Sequence, residues 1–174
     1  MIRPLLAVLL AALAAFPAAA QGGSTLWFAD LGEGASRWCA YRDERTWRAL
    51  ENAYSAGFVT THDSGATVVE VMWSSPSGDW QVTDTYAFTP NEFGQMTRKG
   101  GDATFETYLD ARYRLNGGRA PTLIEADHRR WEGREKPSGP WIRDVPLYGS
   151  PSKFPFAKVV EALRQAPDKA QLCL

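Results

Sequence analysis

The sequence contains few of the residues that usually carry enzyme chemistry. Its 174 residues include only two histidines, His62 and His128, and two cysteines, Cys39 and Cys173. A histidine-based zinc site would need both histidines and a further carboxylate or thiolate, so no metal site is expected. The patterns G-x-S-x-G, H-E-x-x-H and G-x-G-x-x-G and the P-loop are all absent. No motif therefore predicts a particular reaction or cofactor.

Neither sign of charge dominates the chain. Lysine and arginine number 19, aspartate and glutamate number 20, and the formal net charge is −1 at pH 7. Proteins that bind nucleic acid through its phosphates carry a strong basic excess or a basic stripe. The short basic cluster Arg129-Arg130 lies among Asp127, Glu132 and Glu135, which predicts a charge-balanced surface. No nucleic-acid partner is expected.

Only the amino terminus contains a long apolar run. Arg3 precedes an apolar segment over residues 5–16, a proline follows, and the alanines at 18–20 are the small residues that signal peptidase requires. The run is shorter than the ~20 residues that span a bilayer. We therefore predict a bacterial Sec-type signal peptide over residues 1–20 and a single secreted or periplasmic domain over residues 21–174. No membrane span is expected after cleavage.

The two cysteines stand far apart in the predicted mature domain. An even pair in an exported protein predicts a disulfide, here between Cys39 and Cys173. Because there is no C-x-x-C motif and no nearby histidine, a redox or metal-binding role is not favoured. In the chain-entropy model, a bridge that closes a loop this long adds ~4–5 kcal/mol to stability. The bond would also hold a carboxy-terminal tail that otherwise frays.

Periodicity predicts a helix near each end of the mature chain and an antiparallel sheet between them. Trp47, Leu50 and Tyr54 recur with helical spacing in residues 43–56, and a second apolar stripe occupies residues 156–166. Between the helices the period changes to two residues, which is typical of strands. Five strands are predicted within residues 66–74, 77–88, 93–98, 103–115 and 121–133. The five prolines of residues 137–155 predict an extended strap across the domain.

These elements predict an α+β domain in which a curved antiparallel meander packs against an N-terminal and a C-terminal helix. The alternative is a small β-barrel with flanking helices, which would enclose a ligand cavity. The segments "TLWFA" and "RWCAY" would supply two further strands for such a barrel.

Asp84 breaks the alternation of its strand. Its neighbours on the same face, Val82 and Tyr86, are expected to point inward, and burying an unpaired charge is costly. One hypothesis pairs Asp84 with His128 as a general base, with Tyr113 beside them. A second makes Asp84 a structural acid satisfied by backbone amides, a tyrosine hydroxyl or an arginine. A third makes it a polar group that orients a ligand in an apolar pocket.

Seven tryptophans are present, and those near strand ends, Trp80 and Trp131, are predicted to form exposed contacts. Our first interpretation is a non-enzymatic exported domain of the cell envelope. It would bind a small apolar ligand or an envelope protein through the sheet, using Asp84, Tyr113, His128, Trp80 and Trp131. One alternative is a small hydrolase-type enzyme based on Asp84 and His128. The other is a structural or inhibitory envelope protein without a pocket.

Overall fold

The computed structural model describes residues 22–32, 37–50, 53–75, 79–102, 107–130 and 145–174. The predicted signal peptide lies outside these residues. Within them the strands are β1 (Gly23–Asp30), β2 (Trp38–Tyr41), β3 (Ser55–His62), β4 (Thr67–Ser74), β5 (Trp80–Phe88), β6 (Phe93–Asp102), β7 (Thr107–Asn116), β8 (Arg119–Arg130) and β9 (Gln171–Cys173). The helices are α1 (Glu44–Arg48) and α2 (Ala157–Arg164), and a 3₁₀ turn covers Pro151–Lys153. Neither α-helix is long and apolar enough to cross a membrane.

The strands form one antiparallel sheet, as predicted, in the order β8-β7-β6-β5-β4-β3-β1-β2-β9. Strands β3 to β8 follow one another as a meander. At the other side β1 lies between β3 and β2, and the carboxy-terminal β9 pairs with β2. No pairing joins β8 to β9 in the described part of the chain. The sheet is therefore open, and the alternative of a closed barrel is wrong.

The helix predicted over residues 43–56 is much shorter in the structure. Asp43 caps its start through a 2.9 Å hydrogen bond from the Thr46 backbone N–H, but the helix ends at Arg48 and β3 begins at Ser55. Tertiary pairing explains the difference, since β3 lies between β1 and β4 along its whole length and such pairing overrides weak local preference. Gly57 lies inside this strand, where an added Cβ would come within 2.0 Å of the Glu70 carbonyl oxygen.

The predicted alternation of faces is confirmed in β4, β5 and β7, whose inward residues are buried. The main core is completed by α2 and by the chain that precedes it; the contributing residues are Val145, Phe154, Phe156, Val159, Val160 and Leu163. A second, smaller cluster on the outward face combines Ala29, Cys39 and Tyr41 with Trp47 of α1. We call the face of the sheet that packs against the main core the inward face.

The predicted strap is described only from Val145 onward. Residues 145–156 contain no regular element apart from the 3₁₀ turn, and we call this segment the strap. Its Phe154 ring packs edge-to-face against Tyr86, with ring centroids 5.0 Å apart, and lies 4.4 Å from the ring of Tyr148. The described part of the strap therefore packs against the core, as predicted, but it bends and turns instead of running extended.

The predicted disulfide between Cys39 and Cys173 is confirmed. The two cysteines are direct partners in the β2–β9 register, and the Leu174 backbone N–H donates to the Trp38 carbonyl at 2.9 Å. The bridge spans 134 residues of chain. It therefore fastens the carboxy-terminal tail to the side of the sheet that carries β1 and β2.

Candidate functional site

Asp84 is fully buried at the centre of the inward face, which confirms its predicted orientation. Arg98, its direct partner across β5 and β6, grips the carboxylate with two hydrogen bonds. Nε donates to Oδ1 at 2.7 Å and Nη2 donates to Oδ2 at 2.7 Å. Trp73 Nε1 on β4 also donates to Oδ2, at 3.0 Å. Both carboxylate oxygens are thus occupied, as expected for a structural acid satisfied by an arginine.

Arg98 also binds the strap. Its Nη1 donates to the Val145 carbonyl at 3.0 Å and its Nη2 donates to the Pro146 carbonyl at 3.3 Å. Beside them the Tyr148 backbone N–H donates to the Tyr86 hydroxyl at 3.4 Å. The buried ion pair therefore connects the middle of the sheet to the start of the described strap, and a charge-assisted bidentate pair of this kind holds its geometry tightly.

Burial is the largest influence on the pKa values of the acid and the tyrosines in this network. It raises the pKa of the Asp84 carboxyl, against the opposing hydrogen bonds and positive charge of Arg98. Burial also raises the pKa of Tyr86, Tyr113 and Tyr148, and the negative charge of Asp84 adds to the rise in each of the three tyrosines. These tyrosines therefore keep their protons at neutral pH and act as hydrogen-bonding groups rather than as bases.

The strand order separates His128 from Asp84. His128 lies opposite Leu109 on β8, and β6 and β7 stand between β8 and β5. At about 4.8 Å per strand, roughly 14 Å of sheet separates the two residues, which does not favour the predicted Asp84–His128 general base. Tyr113 is buried on the inward face opposite Met96. Trp131 lies outside the described residues.

A second polar feature lies where the inward face ends. The strand registers place Trp38, Asp30, Ser55 and Trp73 side by side on β2, β1, β3 and β4. No more than 9% of the surface of any of these four residues is exposed. With the half-buried Trp80 they line an open cavity of about 260 Å³, whose wall is completed by strap residues that include Pro146. We call this cavity the tryptophan recess.

Two polar groups of the tryptophan recess have unused hydrogen-bonding capacity. The buried Nε1–H of Trp38 has no acceptor among the residues that the structure describes. Asp30 Oδ1 accepts the backbone N–H groups of Gly32 at 3.0 Å and Arg37 at 2.8 Å, and no described donor bonds to Oδ2. An unpaired buried donor costs about 1–3 kcal/mol. The Trp38 donor is sealed from solvent, whereas Asp30 keeps one carboxylate oxygen for a ligand in the recess.

Two larger grooves elsewhere each contain a polar side chain that is already hydrogen-bonded. A groove of about 560 Å³ runs along α2, and there Arg164 Nη2 donates to Thr61 Oγ1 at 3.1 Å. A groove of about 470 Å³ on the outward face is lined partly by Phe58 and Trp47. Trp47 Nε1 donates to the Phe28 carbonyl at 2.9 Å. The tryptophan recess differs from both grooves because its indole donor has no partner in the described chain.

Comparisons with known proteins found no matching family model, no similar curated protein and no similar solved structure. Among the described residues, no group of three or more histidine, cysteine, aspartate or glutamate side chains could hold a metal ion. The tryptophan recess and the buried pair behind it are therefore the features that bear on function.

Sequence reasoning missed Arg98, Asp30 and Trp38. A signal for Arg98 was present, because Met96 and Arg98 share a face of β6 and the turn before β6 sets the register against Asp84. For Asp30 and Trp38 the signal was weak. Their strands β1 and β2 were considered only as additions to a barrel, and the pairing that brings them beside Ser55 depends on β3.

Proposed function

We propose that this chain is an exported, non-enzymatic domain of the bacterial cell envelope that binds a small ligand in the tryptophan recess. One observation carries the proposal: Asp30, whose Oδ2 has no described donor, lines a cavity whose walls include Trp38, Trp73 and Trp80. Small-molecule sites are typically concave and largely apolar, with a few polar groups that fix the orientation of the ligand.

In this proposal the sheet, flanked by α1 and α2, is a rigid scaffold and the ion pair is a positioning element. Trp73 lines the recess and donates to Asp84, while Pro146 lines the recess and accepts from Arg98. The ion pair therefore hydrogen-bonds to two residues that line the cavity, Trp73 and Pro146. Asp84, first considered as a ligand-orienting group, acts through Trp73 and the strap rather than by touching the ligand.

Export is supported by two features. The pattern of residues 1–20 is that of a secretory signal peptide, and the disulfide between Cys39 and Cys173 is typical of oxidising compartments such as the bacterial periplasm. We propose a periplasmic or secreted location on this basis. Purification of the mature protein from the periplasm, with amino-terminal sequencing, would test cleavage before Gln21.

The hydrolase alternative is not favoured. A general base must reach the proton that it removes, whereas both oxygens of Asp84 accept hydrogen bonds from Arg98 and Trp73 inside the core. A structural envelope protein without a binding function becomes the better interpretation only if the tryptophan recess binds nothing.

Nuclear magnetic resonance of the tryptophan indole N–H groups tests the proposal. The probes are phenol, cyclohexanol, glucose and choline, and a Trp38→Phe variant assigns the Trp38 signal. We expect at least one probe to shift that signal saturably, because Trp38 lines the recess. Ser55→Leu, which places a bulky side chain in the recess, should abolish the shift.

Thr85→Leu is the matched control, since Thr85 lies on the outward face of β5. It should leave probe binding unchanged. If no probe shifts the Trp38 signal in the folded, disulfide-bonded protein, the proposed binding function is wrong.

A further inference from the structure

The charge of the tryptophan recess restricts its ligand. Asp30 is the only charged side chain among the described residues that line it. Arg98, the nearest cation that the strap contacts, is fully engaged with Asp84. The described lining of the recess therefore carries one negative charge, which favours a cation over an anion.

The aromatic walls favour the same kind of ligand. The rings of Trp38 and Trp73 meet edge-to-face, with centroids 6.3 Å apart and planes at 79°. Tyr148 stacks on Trp73 at 6.1 Å, and Trp80 completes the wall. The faces of aromatic rings carry negative potential, and tryptophan binds ammonium groups more strongly than the other aromatic residues do. A carboxylate among tryptophans is a suitable environment for an organic cation.

The cavity, at about 260 Å³, is below the usual range of roughly 300–1,000 Å³ for drug-sized ligands, so the ligand must be compact.

Building on the proposed binding function, we propose that the tryptophan recess binds a compact organic ammonium ion. The ammonium group lies against the Asp30 carboxylate and the tryptophan ring faces.

Choline and its neutral isostere 3,3-dimethylbutan-1-ol test this inference directly. The two molecules have the same shape and the same hydroxyl group, and differ only in a carbon that replaces the charged nitrogen. We expect choline to bind about tenfold more tightly or better, as measured by titration calorimetry and by the shift of the Trp38 indole signal. Asp30→Asn should weaken choline binding about tenfold and leave binding of the isostere unchanged.

Asp30→Asn is a mild change because the amide oxygen can still accept the backbone N–H groups of Gly32 and Arg37. Glu70→Gln is the control, since Glu70 lies on the outward face and lines a different groove. It should not change choline binding. A thermal melt of each variant verifies folding.

The outcomes separate this inference from the proposed function. Equal binding of choline and its isostere would overturn the ammonium assignment while supporting a ligand-binding recess. Binding of phenol or cyclohexanol without choline would do the same. Failure of every probe to shift the Trp38 signal would overturn both proposals.

Discussion

The centre and the end of the inward face each carry one buried carboxylate, and the two are used differently. At the centre, Asp84 has both oxygens occupied by Arg98 and Trp73. At the end, Asp30 has one oxygen held by two backbone N–H groups and the other without a described donor. Burial is similar, since Asp84 is 0% and Asp30 is 9% exposed. The two acids therefore differ in their remaining hydrogen-bonding capacity more than in their burial, and this difference is why we propose a binding role for Asp30 alone.

Removing Arg98 should have the largest effect on the centre. Arg98→Met leaves the Asp84 carboxylate buried without its partner, and breaking a buried ion pair in this way typically costs 3–5 kcal/mol. The Val145 and Pro146 carbonyls would lose their donor as well. We expect a decrease of about 3–5 kcal/mol in the free energy of unfolding, measured by urea denaturation.

The double variant Asp84→Leu/Arg98→Met is the control for this prediction. Replacing both members of a buried pair by apolar residues is often close to neutral. We expect the double variant to be more stable than Arg98→Met alone. If the two have equal stability, the loss does not arise from the unpaired charge.

Removing the disulfide should destabilise the end of the inward face that carries Trp38. Cys39 is adjacent to Trp38, and β9 is tied to β2 by this bond and three paired residues. Removing a native disulfide from a small secreted domain typically costs 2–5 kcal/mol, so Cys39→Ser/Cys173→Ser should lose stability in that range. The Trp38 indole signal should shift while the Trp73 signal changes little. Mass measurement of the native protein with and without reductant should find both thiols oxidised.

Equivalent neutral substitutions at the two acids sharpen the comparison. Asp84→Asn leaves Arg98 as a buried cation without a counter-charge, and we expect a loss of about 2–4 kcal/mol, slightly less than for a fully broken pair. Asp30→Asn keeps its backbone hydrogen bonds, so it should change stability by less than about 1 kcal/mol. Urea denaturation measures both. Equal losses in the two variants would contradict the division between a structural and a binding acid.

Alternation along a single strand predicted which face each residue occupies. It could not predict which residues lie beside one another on neighbouring strands. The inward orientation of Asp84 followed from Val82 and Tyr86 on the same strand, because side chains two residues apart share a face. Its partner Arg98 depends on the register set by the turn that joins β5 to β6. The predicted pairing of Asp84 with His128 had the same weakness. Alternation along a strand assigns each residue to a face, but it does not give the distance between strands.

The recess was harder to predict because all four residues in its row come from different strands. Ser55 was assigned to a helix, so the strand that joins Asp30 to Trp73 was absent from the prediction. Strand β8 also contains a bulge that the alternation of its sequence does not indicate. The register shift places Leu123 opposite Tyr113, and Leu123 and Ile124 are 53% and 49% exposed. Both features reflect pairing between distant segments, which short windows of sequence do not contain.

The smallest effect at neutral pH is expected from the tyrosines of the centre. Burial raises the pKa of Tyr86, Tyr113 and Tyr148 above the ordinary value of 10.0, so the folded chain keeps protons that the unfolded chain releases. The contribution of these tyrosines to stability is therefore constant below about pH 10 and decreases as the pH rises above it. Alkaline denaturation followed by phenolate absorbance should show these groups ionising together with unfolding. Asp84→Asn removes the negative charge that adds to the rise in the pKa of Tyr86. The stability lost at alkaline pH, measured relative to the variant's own stability at neutral pH, should therefore be smaller than in the unmodified protein. An unchanged loss would show that burial alone controls the pKa of Tyr86.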